Sequence, residues 1–283
     1  MTKRAVIITA SILLGLIATL TILFGMVFRV KNIDFVYGDN FYYKQQISDI
    51  LKSSKLNKND SIFSVKHNKI INNIELEYPY ARVEGVNIKS FTNITIKLSN
   101  RIPLYYFVEN EQCFILDEDC KVLEKISVQN FNINNYKLVQ LISVFSAGEK
   151  VQAGQFIGTK YAEVCSDLYK SIYSNAMLNL DNGQGVFEDR YLNRDDICDT
   201  IIDLRFNKVN ELNGLVDKLI LSTSYGTKIS IIEPQKDIDL KINMAFSALR
   251  TLIKEDGDNG TSLSSTGSIV VRYSYNNNVV TPA

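Results

Sequence analysis

The fold is decided by the stretch VKNIDFVYGDNFYYKQQISDIL, residues 30–51, in which a strand pattern is followed directly by a helix pattern. Apolar side chains spaced along residues 30–37 predict a strand. The Gly-Asp-Asn cluster at residues 38–40 is typical of a turn. Apolar side chains then recur at helical spacing, which predicts an amphipathic helix over residues 43–53.

The residues that follow complete a small two-layer unit. A second amphipathic helix is predicted over residues 66–77 and is stopped by Pro79. Two strands follow at residues 81–89 and 93–99. The order strand, helix, helix, strand, strand predicts two helices on one face of a three-stranded sheet within residues 30–101.

An apolar segment precedes this unit. Residues 5–28 carry no charged side chain, and ~24 helical residues span roughly 36 Å, enough to cross a ~30 Å hydrocarbon core. A secretory signal peptide is the alternative, but its apolar region is shorter, at ~7–15 residues, and ends in small residues. We therefore expect a single transmembrane helix over residues 5–28, a cytoplasmic tail over residues 1–4 and the bulk of the chain outside the cell, although the flanking charges give only a weak positive-inside bias.

Residues 102–283 read as a larger, strand-rich domain. A β-hairpin is predicted within residues 104–126, and helices over residues 159–176 and 237–253 carry clear apolar stripes. Strand patterns fill much of the remainder, ending in a strand at residues 268–275. The whole chain is thus expected to be α+β, with this domain formed by two helices packed on an antiparallel or mixed sheet.

Charge is unevenly distributed along the chain. The formal net charge is zero, with +3 in residues 1–29, +4 in residues 30–101 and −7 in residues 102–283. The basic segments would favour anionic head groups, or they are simply solvated surface charge. No block of Lys and Arg indicates a nucleic-acid partner.

Candidate catalytic residues are few. The single histidine, His67, falls at a predicted helix start, and the four cysteines show neither CxxC nor a Cys/His metal spacing. We expect no metal, no cofactor and no small-molecule substrate. One enzymatic alternative is a membrane-anchored, extracellular cell-wall hydrolase in which Asp195, Asp196 or Glu188 supply the acid and base; the simpler interpretation is that these carboxylates lie in solvated loops.

The last predicted strand is the best candidate for binding. Ile269, Val271 and Tyr273 alternate with Val270, Arg272 and Ser274 on opposite faces. If the strand lies at a sheet edge, its unpaired N–H and C=O groups can accept a partner's strand by β-augmentation. The alternative is an ordinary edge strand whose tyrosine packs on the neighbouring helix.

Several stretches resemble the bacterial cell-division family called FtsQ or DivIB. The matching pieces, in chain order, are VKNIDFVYGDN, DSIFSVKHNKIINNIELEYPYARVEGVNI, NITIKLSNRIPLYYF, FILDEDCKVL, GTKISI, KINMAFSALRTLI and IVVRYSYNNNVV. The resemblance implies a polypeptide-transport-associated (POTRA) domain at residues 30–101 and the family's β domain at residues 102–283. Departures from the family pattern include Asn100 in place of an acid, Cys120 in place of Gly and Val270 in place of Asp.

The resemblance also implies a function. It predicts a non-enzymatic scaffold at the division septum that binds FtsB/DivIC-like and FtsL-like coiled-coil proteins, with lipid contacted through the N-terminal helix. In the family, an Arg-Tyr pair near the C-terminus belongs to the strand on which the coiled-coil partner adds, and Arg272 and Tyr273 match that pair. We therefore expect Val271, Arg272, Tyr273 and Tyr275 to bind the partner. A POTRA-bearing secretion component is disfavoured, because its transmembrane barrel would need more strands than residues 102–283 supply.

Overall fold

The chain forms two compact units, residues Met1–Arg101 (unit 1) and Ile102–Ala283 (unit 2), in a computed structural model. The backbone is described for residues 3–142, 151–157, 160–181, 187–211, 214–259, 267–273 and 278–282. The α-helices are α1 (Lys3–Val27), α2 (Ile47–Ser53), α3 (His67–Glu77), α4 (Lys160–Asn175), α5 (Arg194–Thr200) and α6 (Ile238–Asn259).

Among the described residues, unit 1 has three strands beside its three α-helices, whereas strands are the commoner element in unit 2. Unit 1 contains β1 (Asn32–Val36), β2 (Ala81–Ser90) and β3 (Asn93–Asn100). Unit 2 contains β4 (Tyr105–Glu109), β5 (Gln112–Leu116), β6 (Val122–Ser127), β7 (Val139–Ile142), β8 (Met177–Asp181), β9 (Phe187–Tyr191), β10 (Ile201–Glu211), β11 (Gly214–Thr223), β12 (Lys228–Ile232), β13 (Ser268–Tyr273) and β14 (Asn278–Pro282).

Unit 1 has the element order that the sequence predicts after α1. Its sheet runs β1-β3-β2, with β1 parallel and β2 antiparallel to the central strand β3. Helices α2 and α3 cover it, and Ile50, Ile74, Ile94 and Ile96 are fully buried in the resulting core. The first predicted helix is shorter than expected, because residues Lys44–Gln46 form a 3₁₀ turn before α2 begins.

The transmembrane helix predicted over residues 5–28 is wrong. The chain is helical there, in α1, but among the described residues no helix combines the length and the apolar character that crossing a bilayer requires. The mixed α+β character of the chain stands.

A buried ion pair links α3 to the end of β3 in unit 1. Arg101 Nη2 lies 2.9 Å from Glu75 Oε2, and the two side chains are only 5% and 6% exposed. The other carboxylate oxygen of Glu75 accepts a hydrogen bond of 2.8 Å from the Val83 backbone N–H on β2. The Glu75 carboxylate therefore compensates a buried charge and a strand N–H together.

Unit 2 is dominated by one nine-stranded sheet. Its order is β14-β13-β12-β11-β10-β7-β4-β5-β6, and β8 and β9 form a separate two-stranded sheet. The pairs β12–β13, β10–β7 and β4–β7 are parallel, and the other pairs are antiparallel. The sheet is thus mixed, which is one of the two arrangements, antiparallel or mixed, that the sequence predicts.

Helices α4 and α6 provide most of the apolar surface packed against this sheet. The bounds of α4 and the start of α6 lie within one residue of the predicted ones, because each helix carries an apolar stripe, whereas α6 continues six residues beyond its predicted end. The buried members of these stripes are Val164, Cys165, Leu168 and Ile172 on α4, and Ile242, Ala245, Phe246 and Leu249 on α6.

The hairpin predicted over residues 104–126 is in fact three strands. A left-handed turn at Asn110 and Glu111 separates β4 from β5, and Cys120 is also left-handed in the turn before β6. A shift of register near Leu116 places Cys113 opposite Ile126. All four cysteines are free thiols.

A fully buried lysine fixes the start of α6. Lys241 has no exposed surface, and its Nζ donates hydrogen bonds of 2.9 and 2.8 Å to the carbonyl oxygens of Ile232 and Glu233 at the end of β12. Burial lowers the pKa of the Lys241 ammonium to about 8, although nearby Glu233 and Asp237 oppose the shift.

We expect Lys241 to make the stability of unit 2 depend on alkaline pH. Because its folded pKa lies below the ordinary value of 10.5, Lys241 binds more protons in the unfolded chain between about pH 8 and 10.5, and its own contribution to the free energy of unfolding rises with pH there. Lys241→Met should remove this rise. Chemical denaturation of both proteins across pH 7–11 measures it, and parallel pH profiles would contradict the prediction.

Candidate partner-binding edge of the large sheet

The strand predicted to bind a partner, β13, lies inside the sheet. It pairs in parallel with β12 on one side and antiparallel with β14 on the other. The prediction that this strand is an open edge is therefore wrong. Periodicity identified the strand correctly, but the pairing with β14 depends on residues further along the chain.

The side chains of β13 alternate as the sequence predicts. Ile269 and Val271 are 1% and 0% exposed and belong to the core, whereas Arg272 is exposed. Val271 therefore offers a partner no side-chain surface, and Arg272 does. Tyr273 ends the strand opposite Asn278; its side chain, and the whole of Tyr275, lie outside the described residues.

The open edge next to β13 belongs to β14. This strand is the first in the order of the sheet, and within the described residues it pairs on one side only, with β13. Helix α6 packs against both strands. The edge is thus supported by a helix and by an interior strand, which gives a rigid template for a further strand.

The register shows which β14 groups point outward. Ile269 lies opposite Pro282, and this pair cannot exchange hydrogen bonds because proline has no N–H. Paired residues in an antiparallel ladder alternate between hydrogen-bonded and non-hydrogen-bonded. Thr281 and Val279 therefore bond inward to β13, and the backbone N–H and C=O of Val280 point away from the sheet.

This strand was not predicted from the sequence. It begins at Asn278, the last of three asparagines, and Asn276 and Asn277 lie outside the described residues. The signal that could have found β14 is the β-branched run at residues 279–281, which favours a strand. Pro282 fits an edge position, where a missing N–H leaves an interior ladder intact.

The carboxylates of the hydrolase alternative are occupied by structural contacts. Asp196 accepts two hydrogen bonds, of 2.6 and 2.7 Å, from the Arg190 guanidinium and closes a capping box with Asn193 at the start of α5. Asp195 lies 2.7 Å from the Arg194 guanidinium. Both are thus in the first turn of a helix and not in the predicted loop.

Two further candidates lie apart from any acid–base constellation. Glu188 is exposed on β9, opposite Leu180. His67 is exposed at the first position of α3, in unit 1. Among the described residues, no group of three or more His, Cys, Asp or Glu side chains could hold a metal ion.

Comparison with known proteins finds one similar cell division protein. No family model matches the chain. The chain is 25% identical over 227 residues to the cell division protein DivIB of Clostridium tetani (strain Massachusetts / E88), an alignment that covers 78% of this chain and 70% of that protein. The relationship thus spans most of both proteins and agrees with the sequence resemblance described above. This similarity supports the assignment of the chain to the FtsQ/DivIB family.

Proposed function

We propose that the protein acts in bacterial cell division as a non-enzymatic scaffold and that it binds a coiled-coil division protein at the β14 edge. The relative is named as a cell division protein, which supports the general role. The observation that carries the binding proposal is the open edge of β14 on a nine-stranded sheet. FtsB/DivIC-like and FtsL-like proteins are the partners we expect.

The proposed partner contributes an extended segment that becomes a tenth strand. Main-chain hydrogen bonds to the outward groups of Val280 supply affinity, and side chains supply selectivity. Arg272 lies opposite Val279 on the neighbouring strand and is exposed. It lies two strand spacings, roughly 10 Å, from the added strand, within reach of an acidic side chain that leans inward.

We further propose that unit 1 is a POTRA domain and that the protein works at the division septum in association with the membrane. The β1-β3-β2 sheet covered by α2 and α3 supports the first assignment. Unit 1 would then serve as a second docking module, separate from the β14 edge.

The Val280→Pro variant tests the binding edge. It removes the outward N–H of Val280 and leaves the inward bonds of Val279 and Thr281 in place, so the domain is expected to fold while the partner is lost. Tagged full-length protein is recovered from bacterial membranes, and co-purified coiled-coil division proteins are quantified by mass spectrometry. We expect at least about tenfold less partner, equivalent to ~1.4 kcal/mol.

The matched control is Val280→Ala, which shortens the same side chain and keeps the N–H. It should retain most of the partner, and Arg272→Ala should show an intermediate loss. Circular dichroism verifies that each variant is folded. Equal partner recovery with folded Val280→Pro and Val280→Ala would overturn the proposed edge.

A further inference from the structure

Three phenylalanines from separate segments meet at one end of unit 1. The Phe28 ring lies 5.3 Å from the Phe63 ring and 4.8 Å from the Phe91 ring, measured between centroids. Phe28 follows α1, Phe63 lies in the 3₁₀ turn before α3, and Phe91 forms the β2–β3 turn. Phe63 and Phe91 are nevertheless 70% and 66% exposed. We call these three residues the phenylalanine cluster.

The backbone beneath the phenylalanine cluster is ordered by hydrogen bonds. The Ile62 N–H donates to the Phe28 carbonyl at 2.9 Å, and the Lys31 N–H donates to the Thr92 carbonyl at 2.7 Å. These bonds fix all three segments relative to one another. The exposed rings are therefore attached to an ordered backbone. Val27, next to Phe28, is also exposed and adds to the apolar surface.

The chain segments that carry the cluster are rich in cations. Within five positions of its three members the chain has one acid, Asp60, and five Lys or Arg residues. Asp60 accepts a hydrogen bond from the Asn57 N–H. The five cations are all exposed: Arg29, Lys31, Lys58, Lys66 and Lys89.

A basic groove adjoins the cluster at the start of α3. The groove is open, has a volume of about 660 Å³, and is lined by Lys66, His67 and Lys69 together with three asparagines. No acidic residue occupies the first turn of α3, so the positive end of the helix dipole is unopposed there. The groove can accommodate an anionic head group.

We propose that this end of unit 1, comprising the phenylalanine cluster and the five exposed Lys and Arg residues near it in the sequence, docks on the surface of an anionic lipid bilayer. Exposed aromatic rings enter the interface between head groups and acyl chains, while Lys and Arg attract the anionic surface. Protein interfaces instead are depleted in Lys, which argues against a protein as the main occupant. The surface belongs to unit 1, so this inference does not depend on the β14 edge.

The absence of tryptophan from the chain allows a direct test. Phe63→Trp places the only tryptophan of the variant in the cluster, where it can be excited selectively over the tyrosines. Tyr42→Trp is the matched control, since Tyr42 is also 70% exposed. The Tyr42 backbone N–H donates a hydrogen bond to the Asn100 side chain, which lies at the end of β3 remote from Phe91. Because β3 has eight residues, Tyr42 and the phenylalanine cluster lie roughly 25 Å apart.

The full-length variants are mixed with vesicles of phosphatidylcholine, with or without phosphatidylglycerol, whose acyl chains carry bromine to quench tryptophan. We expect at least twofold quenching of Phe63→Trp in the anionic vesicles and little quenching of Tyr42→Trp. Adding Lys31→Glu and Lys89→Glu to Phe63→Trp should raise the vesicle concentration for half-maximal quenching at least about tenfold.

Three results would overturn the proposal. One is equal quenching of the two tryptophans, which would mean that the phenylalanine cluster is no nearer to the lipid than the opposite end of β3. Another is equal quenching of Phe63→Trp in neutral and anionic vesicles. The third is an unchanged response after reversal of the two charges in a variant with native circular dichroism. Partner recovery by Val280→Pro is measured separately, so failure here leaves the β14 proposal unaffected.

Discussion

Replacement of Glu75 by alanine is expected to lower the stability of unit 1 by about 3–5 kcal/mol. The change leaves the Arg101 guanidinium, in a side chain only 5% exposed, without its carboxylate, and a buried charge that loses its partner is strongly destabilising. It also removes the acceptor of the Val83 N–H. Urea denaturation followed by circular dichroism measures the loss.

The matched control is Asp49→Ala, because Asp49 pairs with Lys52 on α2 through side chains that are 52% and 79% exposed. An exposed pair of this kind contributes about 0–1 kcal/mol. If both variants lost the same small amount of stability, the Glu75–Arg101 pair would not stabilise unit 1 as inferred here.

Phe246→Ala is expected to destabilise unit 2 by about 3–5 kcal/mol, because it removes a large buried ring and leaves a cavity. Phe246 is 1% exposed in the core between α6 and the large sheet. Since α6 supports β13 and β14, we also expect weaker partner binding. Thermal unfolding of unit 2 and the membrane co-purification described above measure the two effects.

Leu240→Ala is the control on the same helix, because Leu240 is 49% exposed. It should change the free energy of unfolding by less than about 1 kcal/mol and leave partner recovery unchanged. A Phe246→Ala protein with native stability would show that α6 does not anchor this end of the sheet.

The sequence predicts best those elements whose pattern is local and complete. Helices α3, α4 and α6 each bury one apolar stripe, so their periodicity locates them. Helix α5 was missed because its seven residues are too short to show a period, although Asn193 three residues before Asp196 is a capping signal. The division of the β4–β6 region was missed because left-handed Asn110 and Glu111 form a tight turn without glycine or proline.

The candidate site depends on contacts that no local pattern records. Alternation gives the faces of β13, including exposed Arg272 and buried Val271, but it carries no information about which strands lie beside it. The edge position of β14 follows from tertiary pairing, and its sequence is short and begins next to asparagines. The membrane prediction was wrong as well, because among the described residues no helix is long and apolar enough to cross a bilayer.

The parallel pairing of β7 has a consequence for how the protein folds. β7 lies between β4 and β10, and Gln140 pairs with both Tyr106 and Asp203, which are about a hundred positions apart. Contacts so distant along the chain slow folding, because a long loop must close before they form. Unit 1, whose β2–β3 ladder is a hairpin, can form early, while the half-made sheet of unit 2 exposes unpaired strands that invite aggregation and chaperone binding.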